Sequence, residues 1–97
     1  MTNPSSGETP DISVVVPVFD EAGAAPELAR EIACAFAGRS YEMIFVDDAS
    51  RDGTRGALVA LKSEIPQLRV LAHRANAGQS RSIRTGILAA RGAVVVT

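Results

Sequence analysis

Four short apolar runs alternate with three longer segments in which apolar residues recur at helical spacing. The apolar runs cover residues 12–19, 41–46, 68–72 and 93–97. They are rich in β-branched residues and nearly unbroken, which is typical of strands that are covered on both faces of a sheet. The connections between them are too long for hairpins. The pattern therefore predicts an α/β fold in which parallel strands are joined by right-handed crossover helices.

The three helices have recognisable ends. The first begins near Pro26 and ends at Gly38, the second begins at Asp52 or Thr54 and ends at Pro66, and the third spans residues 79–91. Helical spacing predicts that the following residues face the sheet: Leu28, Ile32, Ala35 and Phe36 in the first helix, Ala57, Leu58, Leu61 and Ile65 in the second, and Ile83, Ile87 and Ala90 in the third. Residues 1–11 are polar and rich in turn formers, so we expect a disordered tail before one partial domain of residues 12–97.

Composition excludes several classes of function. Ten basic and eleven acidic residues are mixed along the 97 residues, giving a net charge of −1, and this argues against binding to nucleic acid or to anionic lipid. Cys34 is the only cysteine, which rules out an internal disulfide and a cysteine-based metal cluster and suits the reducing cytoplasm. No apolar run approaches the ~20 residues that span a bilayer.

Polar residues follow the first two predicted strands at the point where each ends. Asp20 and Glu21 follow the first strand, and Asp47 and Asp48 follow the second. Parallel strands bring their carboxyl ends to one edge, where open α/β sheets bind ligands, so these residues should converge. Capping of the next helix is an alternative role for each pair. A carboxylate at this edge also suits the ring N–H of uracil or guanine.

A third polar cluster, NAGQSR at 76–81, follows the third strand. Gly78 permits close approach of the backbone at a helix amino end, and Arg81 and Arg84 follow on that helix, a combination that suits phosphate. Solvated surface arginines are the competing interpretation. We assign no function to His73 or Arg74. The turn FDEAGAA lacks the Gly-x-Gly-x-x-Gly pattern of dinucleotide sites, and a Walker loop is missing as well.

Three segments in this order resemble family-two glycosyltransferases: SVVVPVFDE at 13–21, FVDDASRDGT at 45–54 and NAGQSRSIRTGILAARG at 76–92. The chain is most similar to the branch that contains dolichol-phosphate mannosyltransferases and bacterial polyprenyl-phosphate glycosyltransferases. The resemblance covers residues 12–97. It implies the front half of an A-type glycosyltransferase fold, which is a Rossmann-like parallel sheet with flanking helices. It also implies transfer of a sugar from a UDP- or GDP-sugar to a polyprenyl or dolichyl phosphate.

The resemblance also implies a set of residues that bind the nucleotide-sugar: Pro17, Phe19, Glu21, Val46, Asp47, Asp48, Gly78 and Gln79. Asp48 matches the acid that contacts the base. Phe19 stands where a tyrosine is more usual, which keeps the aromatic ring and loses the hydroxyl. Asp20 occupies a position commonly filled by asparagine and is left out of the set. The resemblance assigns no catalytic residue within this chain.

In this family the fourth strand runs into an Asp-x-Asp motif that binds Mg²⁺ or Mn²⁺. The sequence ends at Thr97 without it, so we expect the metal ligands, the acceptor site and the catalytic base to lie in a longer parent. That parent would be cytoplasmic or peripheral at the cytoplasmic face of the membrane. The piece alone should be inactive, with a sheet edge through which it can self-associate.

Two alternatives stay open from the sequence. One is a non-catalytic module that binds a nucleotide or a protein partner and is complete as it stands. The other is a receiver-like signalling domain, suggested by the acidic pair Asp47 and Asp48. In receiver domains, however, the acidic pair follows the first strand, whereas here it follows the second.

Overall fold

A computed structural model describes residues 9–97 of the chain. Its elements, in chain order, are β1 (Ile12–Val18), α1 (Ala24–Ala35), β2 (Tyr41–Asp47), α2 (Thr54–Leu61), β3 (Leu68–Ala72), α3 (Gln79–Ala89) and β4 (Val94–Val96). The predicted alternation of strands and helices is confirmed, and each predicted boundary lies within a few residues of the observed one. Each apolar run of the sequence forms one strand. Helices cover both faces of the central strands β1 and β2, which accounts for their nearly unbroken apolar runs.

The four strands are parallel and stand in the order β3-β2-β1-β4. The predicted α/β fold with a parallel sheet is therefore confirmed. In the doubly wound order of receiver domains, the third strand pairs with the first. Here β3 pairs with β2, which argues against the receiver-like alternative. The carboxyl ends of β1, β2 and β3 meet at one edge, so the loops that follow them are neighbours.

The predicted tail of residues 1–11 overlaps the ordered fold at its end. Residues 1–8 lie outside the described part of the chain. Pro10 is buried, the backbone N–H of Asp11 donates to the Ser40 carbonyl at 3.1 Å, and the Asp11 carbonyl accepts from the Val94 N–H at 3.1 Å. These contacts extend the sheet beyond Ile12, so Pro10 and Asp11 belong to the domain and not to a tail.

Helices α1 and α2 pack on one face of the sheet and form the main core. The largest fully buried side chains of that core are Met43, Phe45, Leu58 and Leu68. On α1, Ala25 and Ala29 are buried, with Ile32 and Phe36 packed beside them. The prediction that Leu28 and Ala35 face the sheet is wrong, because the buried stripe starts from the two alanines, which leaves Leu28 38% exposed.

Helix α3 covers the opposite face through small residues. Ser82 and Gly86 are its buried positions, whereas Ile87 is 45% exposed. The prediction that Ile83, Ile87 and Ala90 form the face toward the sheet is therefore wrong for Ile87. Small side chains let α3 lie close to β1, and the helix axis is set by that close approach. Ile87 and Leu88 are consequently exposed.

Candidate functional site

A cavity of about 180 Å³ opens at the carboxyl edge of the sheet. Its lining combines the end of β1, the loop after it, the end of β2 and the first turn of α3: Pro17, Val18, Phe19, Glu21, Asp48, Gln79 and Ser82. Five of the eight residues that the sequence predicts for nucleotide-sugar binding are among them, namely Pro17, Phe19, Glu21, Asp48 and Gln79. The sheet topology thus brings together residues that are up to about 60 positions apart in the sequence.

Asp48 lines this cavity, and its carboxylate has three hydrogen-bond partners. The side chain is 6% exposed. Its Oδ1 accepts from the Ala77 N–H at 2.8 Å and lies 2.8 Å from Nδ1 of His73, and its Oδ2 accepts from the Gly78 N–H at 2.8 Å. The hydrogen bond with His73 lowers the pKa of Asp48, burial acts in the opposite direction, and the two amides lower it further. Asp48 is therefore an ionised, oriented acceptor at neutral pH.

Gly78 serves the site through its backbone and does not line the cavity. Its φ of +97° is in the region that glycine occupies without steric cost, and this conformation directs its N–H at Asp48. Its carbonyl accepts from the Ser82 N–H at 3.1 Å and the Ser82 hydroxyl at 3.0 Å. Gly78 therefore joins Asp48 to the first turn of α3, where Gln79 and Ser82 face the cavity.

The sequence also predicts Val46 and Asp47 for this site, and the structure places neither in the cavity. Val46 is fully buried within β2. Asp47 points to the other face of the sheet from Asp48, because side chains alternate along a strand. There it accepts from the hydroxyl and the amide of Ser50 and borders a second, wider depression. Asp47 therefore shapes the loop that follows β2.

The loop after β1 is fastened to the loop after β2 by hydrogen bonds from consecutive amides. The Asp20 N–H donates to Ser50 Oγ at 2.9 Å, and the Glu21 N–H donates to Thr54 Oγ1 at 2.8 Å. Thr54, at the start of α2, is fully buried. Its hydroxyl donates in turn to Asp52. These bonds fix the backbone from which Phe19 and Glu21 reach the cavity.

Arg51, an exposed residue of the loop after β2, also binds the loop after β1. Its amide donates to Asp20 Oδ1 at 2.7 Å, its guanidinium donates to Asp20 Oδ2 at 3.0 Å, and the same guanidinium lies 5.4 Å from the centre of the Phe19 ring. The backbone hydrogen bond from Arg51, followed by its side-chain bond, lowers the pKa of Asp20. Asp20 and Ala49 both have positive φ, at 50° and 61°. Such strained backbone is often concentrated at functional sites.

Sequence reasoning missed the residues that hold the site together. The sequence identifies Ser50 only as part of a segment similar to the family and Thr54 also as a helix cap, and it indicates no role for Ser82 or His73. A serine three residues after Asp47 and a threonine two residues after Asp52 are signals for loop hydrogen bonding. His73 gave no comparable signal, because its importance depends on where β3 ends relative to β2.

The described residues do not assemble a metal site. Within residues 9–97, no group of three or more histidine, cysteine, aspartate or glutamate side chains is placed to hold a metal ion. Glu21 and Asp48 both line the cavity, but the oxygens of Asp48 already accept hydrogen bonds from three donors.

Within residues 9–97, no helix has the length and apolar character needed to cross a membrane.

Curated proteins of similar sequence are sugar transferases of bacteria. The chain is 39% identical over 90 residues to an undecaprenyl-phosphate 4-deoxy-4-formamido-L-arabinose transferase of Pseudomonas paraeruginosa, and 38% identical over 90 residues to the protein of the same name from Pseudomonas fluorescens. Each match covers 89% of this chain and 26% of the relative. The chain therefore spans about a quarter of the length of these relatives.

Two solved structures share the fold. One is the mannosyltransferase PcManGT of Pyrobaculum calidifontis in complex with GDP-Man and Mn²⁺, with a TM-score of 0.78, 25% identity, and coverage of 98% of this chain and 28% of that one. The other is S. aureus TarS 1-349, with a TM-score of 0.77, 26% identity, and coverage of 89% and 26%. Residues 13–97 match the family described as Glycosyl transferase family 2. With most of its length matched, and with the parallel sheet that the structure displays, the chain belongs to glycosyl transferase family 2.

Proposed function

We propose that this chain forms the nucleotide-binding part of a glycosyltransferase that moves a sugar from a UDP- or GDP-sugar to a polyprenyl phosphate. The observation that carries the proposal is the meeting of Phe19, Glu21, Asp48 and Gln79 around one cavity at the edge where open α/β sheets bind their ligands. Family membership supports the transferase chemistry. The relatives named for undecaprenyl phosphate support a lipid phosphate as acceptor.

The cavity suits one part of a nucleotide and not the whole donor. Its volume of about 180 Å³ is below the roughly 300–1,000 Å³ of pockets that enclose a drug-sized ligand. A flat nucleobase beside the Phe19 ring is the part that matches the lining, since aromatic rings stack on bases. The ribose, diphosphate and sugar would then extend along the surface past the start of α3.

Asp48 has capacity for one further donor. Each carboxylate oxygen offers about two acceptor positions. Oδ1 is occupied by His73 and the Ala77 amide, whereas Oδ2 accepts only from Gly78. A ring N–H of uracil or guanine would occupy the remaining position on Oδ2. Its bond would be charge-assisted, because the pKa of Asp48 is lowered and the group stays ionised.

The other lining residues have roles that follow from their chemistry. Gln79 is the first residue of α3, and the amino end of a helix favours a negatively charged phosphate. Glu21 accepts from the Phe19 amide at 3.3 Å, and as a carboxylate it suits hydroxyl donors such as those of the ribose. We place the parent enzyme at the cytoplasmic face of the membrane, in which a polyprenyl acceptor is embedded. A divalent metal in the parent, as in the PcManGT complex with Mn²⁺, would need ligands beyond those described here.

Titration of the ¹⁵N-labelled chain with UDP, GDP and, as a comparison, ADP tests the proposal by NMR. We expect UDP or GDP to shift the backbone amides of Phe19, Glu21, Gly78 and Gln79, and ADP to shift them much less, because adenine has no ring N–H to donate to Asp48. Asp48→Asn should abolish the preference, since the amide can be turned to accept or donate. Equal shifts with all three nucleotides, or shifts confined to residues far from the cavity, would refute base recognition at this site.

A further inference from the structure

His73 connects two elements of the site without lining the cavity. Its Nδ1 lies 2.8 Å from Asp48 Oδ1, and its Nε2 lies 2.8 Å from Thr85 Oγ1 on α3. The histidine side chain is 18% exposed and that of Asp48 is 6% exposed. The backbone N–H of His73 also donates to the Asp47 carbonyl at 2.9 Å. Both ring nitrogens and the main chain of this residue are therefore fixed.

The partners determine which ring nitrogen carries the proton. Asp48 is ionised, and an ionised carboxylate only accepts hydrogen bonds, so Nδ1 must be the donor. In the neutral ring Nε2 is then an acceptor, and the Thr85 hydroxyl donates to it. The contact with Thr85 therefore restricts rotation of the imidazole. The imidazole in turn restrains the Asp48 carboxylate through Oδ1, beside the amides of Ala77 and Gly78.

The same ring links α3 to the residue that follows β2. Thr85 lies on α3 one turn after Ser82, and the first turn of this helix carries Gln79 and Ser82, which line the cavity. Asp48 lies directly after β2. A ring held between Asp48 and Thr85 therefore connects one lining residue of the cavity to the helix that supplies two others, Gln79 and Ser82.

We propose that His73 is a positioning residue for nucleotide binding, which orients the Asp48 carboxylate and holds α3 at the distance that the cavity requires. The proposal rests on the proposed function for the identity of the ligand. Preorganised groups bind more tightly because the ligand does not have to order them. Loss of His73 should therefore weaken binding although the side chain does not contact the nucleotide.

The protonation state of His73 is the first test, and it needs no ligand. His73 is the only histidine in the sequence, so its ring nitrogens give unambiguous NMR signals. We expect long-range ¹⁵N–¹H spectra at neutral pH to show the proton on Nδ1, and Asp48→Asn to shift that ring more than Asp47→Asn does. A ring with its proton on Nε2 and none on Nδ1, or a ring that does not respond to Asp48→Asn, would overturn the proposal.

Three substitutions separate positioning from general stability. In His73→Asn the side-chain amide nitrogen can take the position of Nδ1 and donate to Asp48. In His73→Gln the amide nitrogen can take only the position of Nε2. His73→Ala removes both ring nitrogens and replaces neither. Hydrogen bonds to charged groups are the stronger ones, so we expect about a tenfold loss of UDP or GDP affinity in the alanine and glutamine variants. His73→Asn should recover most of that loss. Affinity is measured by calorimetry, and the urea midpoint of each variant is measured beside it.

A double-mutant cycle decides whether His73 acts through Asp48. If it does, His73→Ala should cost little further affinity once Asp48→Asn is present. Full additivity, or wild-type affinity in His73→Ala, would overturn the proposal. A wild-type chain that binds neither UDP nor GDP would refute the proposed function instead. In that event the proton position and the response to Asp48→Asn still decide whether His73 orients Asp48.

Discussion

Gly86 on α3 lies directly against Val15 on β1, so that a Cβ atom added to the glycine would fall 2.3 Å from Cγ1 of the valine. Val15 is fully buried, and its branched side chain has few alternative rotamers. Gly86→Ala should therefore lower the free energy of unfolding by about 1–3 kcal/mol through overpacking, although alanine is the better helix former. Urea unfolding followed by circular dichroism measures the effect.

Gly56 provides the matched control for that substitution. It lies inside α2, and a Cβ added there would meet nothing within 4 Å. Gly56→Ala should raise the free energy of unfolding by about 0.4–1 kcal/mol, because alanine loses less backbone entropy in a helix. Equal effects of the two substitutions would mean that α3 does not approach β1 as closely as described.

This contact also explains why part of the fold was out of reach of sequence reasoning. The strands were predictable because β1 and β2 are buried on both faces and therefore read as apolar runs. The packed face of α3 was not, since Ser82 and Gly86 carry no hydrophobic signal and the apolar Ile87 is turned outward. Helical spacing identifies the helix face that carries large apolar residues. A helix that packs through small residues, as α3 does through Ser82 and Gly86, buries a different face.

Some residues of the candidate site could likewise be predicted from the sequence, and others could not. Glu21, Asp48 and Gln79 could be assigned from their places at strand ends and from resemblance, because the ends of parallel strands converge. Asp47 was assigned to the same group, since a sequence does not say at which residue a buried strand gives way to its loop. His73 was missed because its partners, Asp48 and Thr85, are 25 and 12 positions away. Such a relation exists only once the strands are paired.

Glu42 should make stability depend on pH in the acidic range. This fully buried carboxylate accepts from Ser13 Oγ at 2.6 Å, from Arg69 at 2.9 Å and from the Arg91 N–H at 2.8 Å. Burial by itself raises the pKa of Glu42, but these hydrogen bonds and that from the Arg91 guanidinium outweigh it and hold the pKa below its usual value. Since the folded pKa is the lower one, the stabilisation is present above the unfolded value and is lost as pH falls through the folded value.

Glu42→Gln isolates this contribution. At neutral pH we expect it to cost stability toward the low end of the roughly 3–5 kcal/mol of a broken buried pair, because both arginines are partly exposed. Between pH 5 and the acid limit its stability should fall less steeply than that of the wild type, as measured by urea unfolding at each pH. Glu64→Gln is the control, since the pair of Glu64 with Arg30 is more than half exposed and such pairs contribute about 0–1 kcal/mol. A parallel pH dependence in wild type and Glu42→Gln would contradict the assignment.

Thr54→Val should loosen the loop that carries Glu21. The substitution keeps the shape of the side chain but removes the hydroxyl that accepts from the Glu21 N–H at 2.8 Å and donates to Asp52. Leaving these partners unsatisfied should cost about 1–3 kcal/mol, and hydrogen exchange at the Glu21 amide should accelerate. Thr54→Ser retains the hydroxyl and should retain the protection of that amide. Unchanged exchange in Thr54→Val would mean that the two loops are not joined through this residue.

The free edge of β4 should govern self-association. β4 pairs with β1 on one side only, at the edge of the described sheet, and its valines Val94, Val95 and Val96 are 55%, 39% and 42% exposed. An uncovered edge with apolar β-branched residues is a template for pairing with another chain, and lysine at an edge opposes it. Val94→Lys should therefore shift the chain toward monomer in sedimentation velocity experiments over a range of concentrations. Val59→Lys is matched in residue type and exposure, at 49%, but lies on α2 and should leave association unchanged. If both lysine variants reduce association equally, added charge rather than the β4 edge controls it.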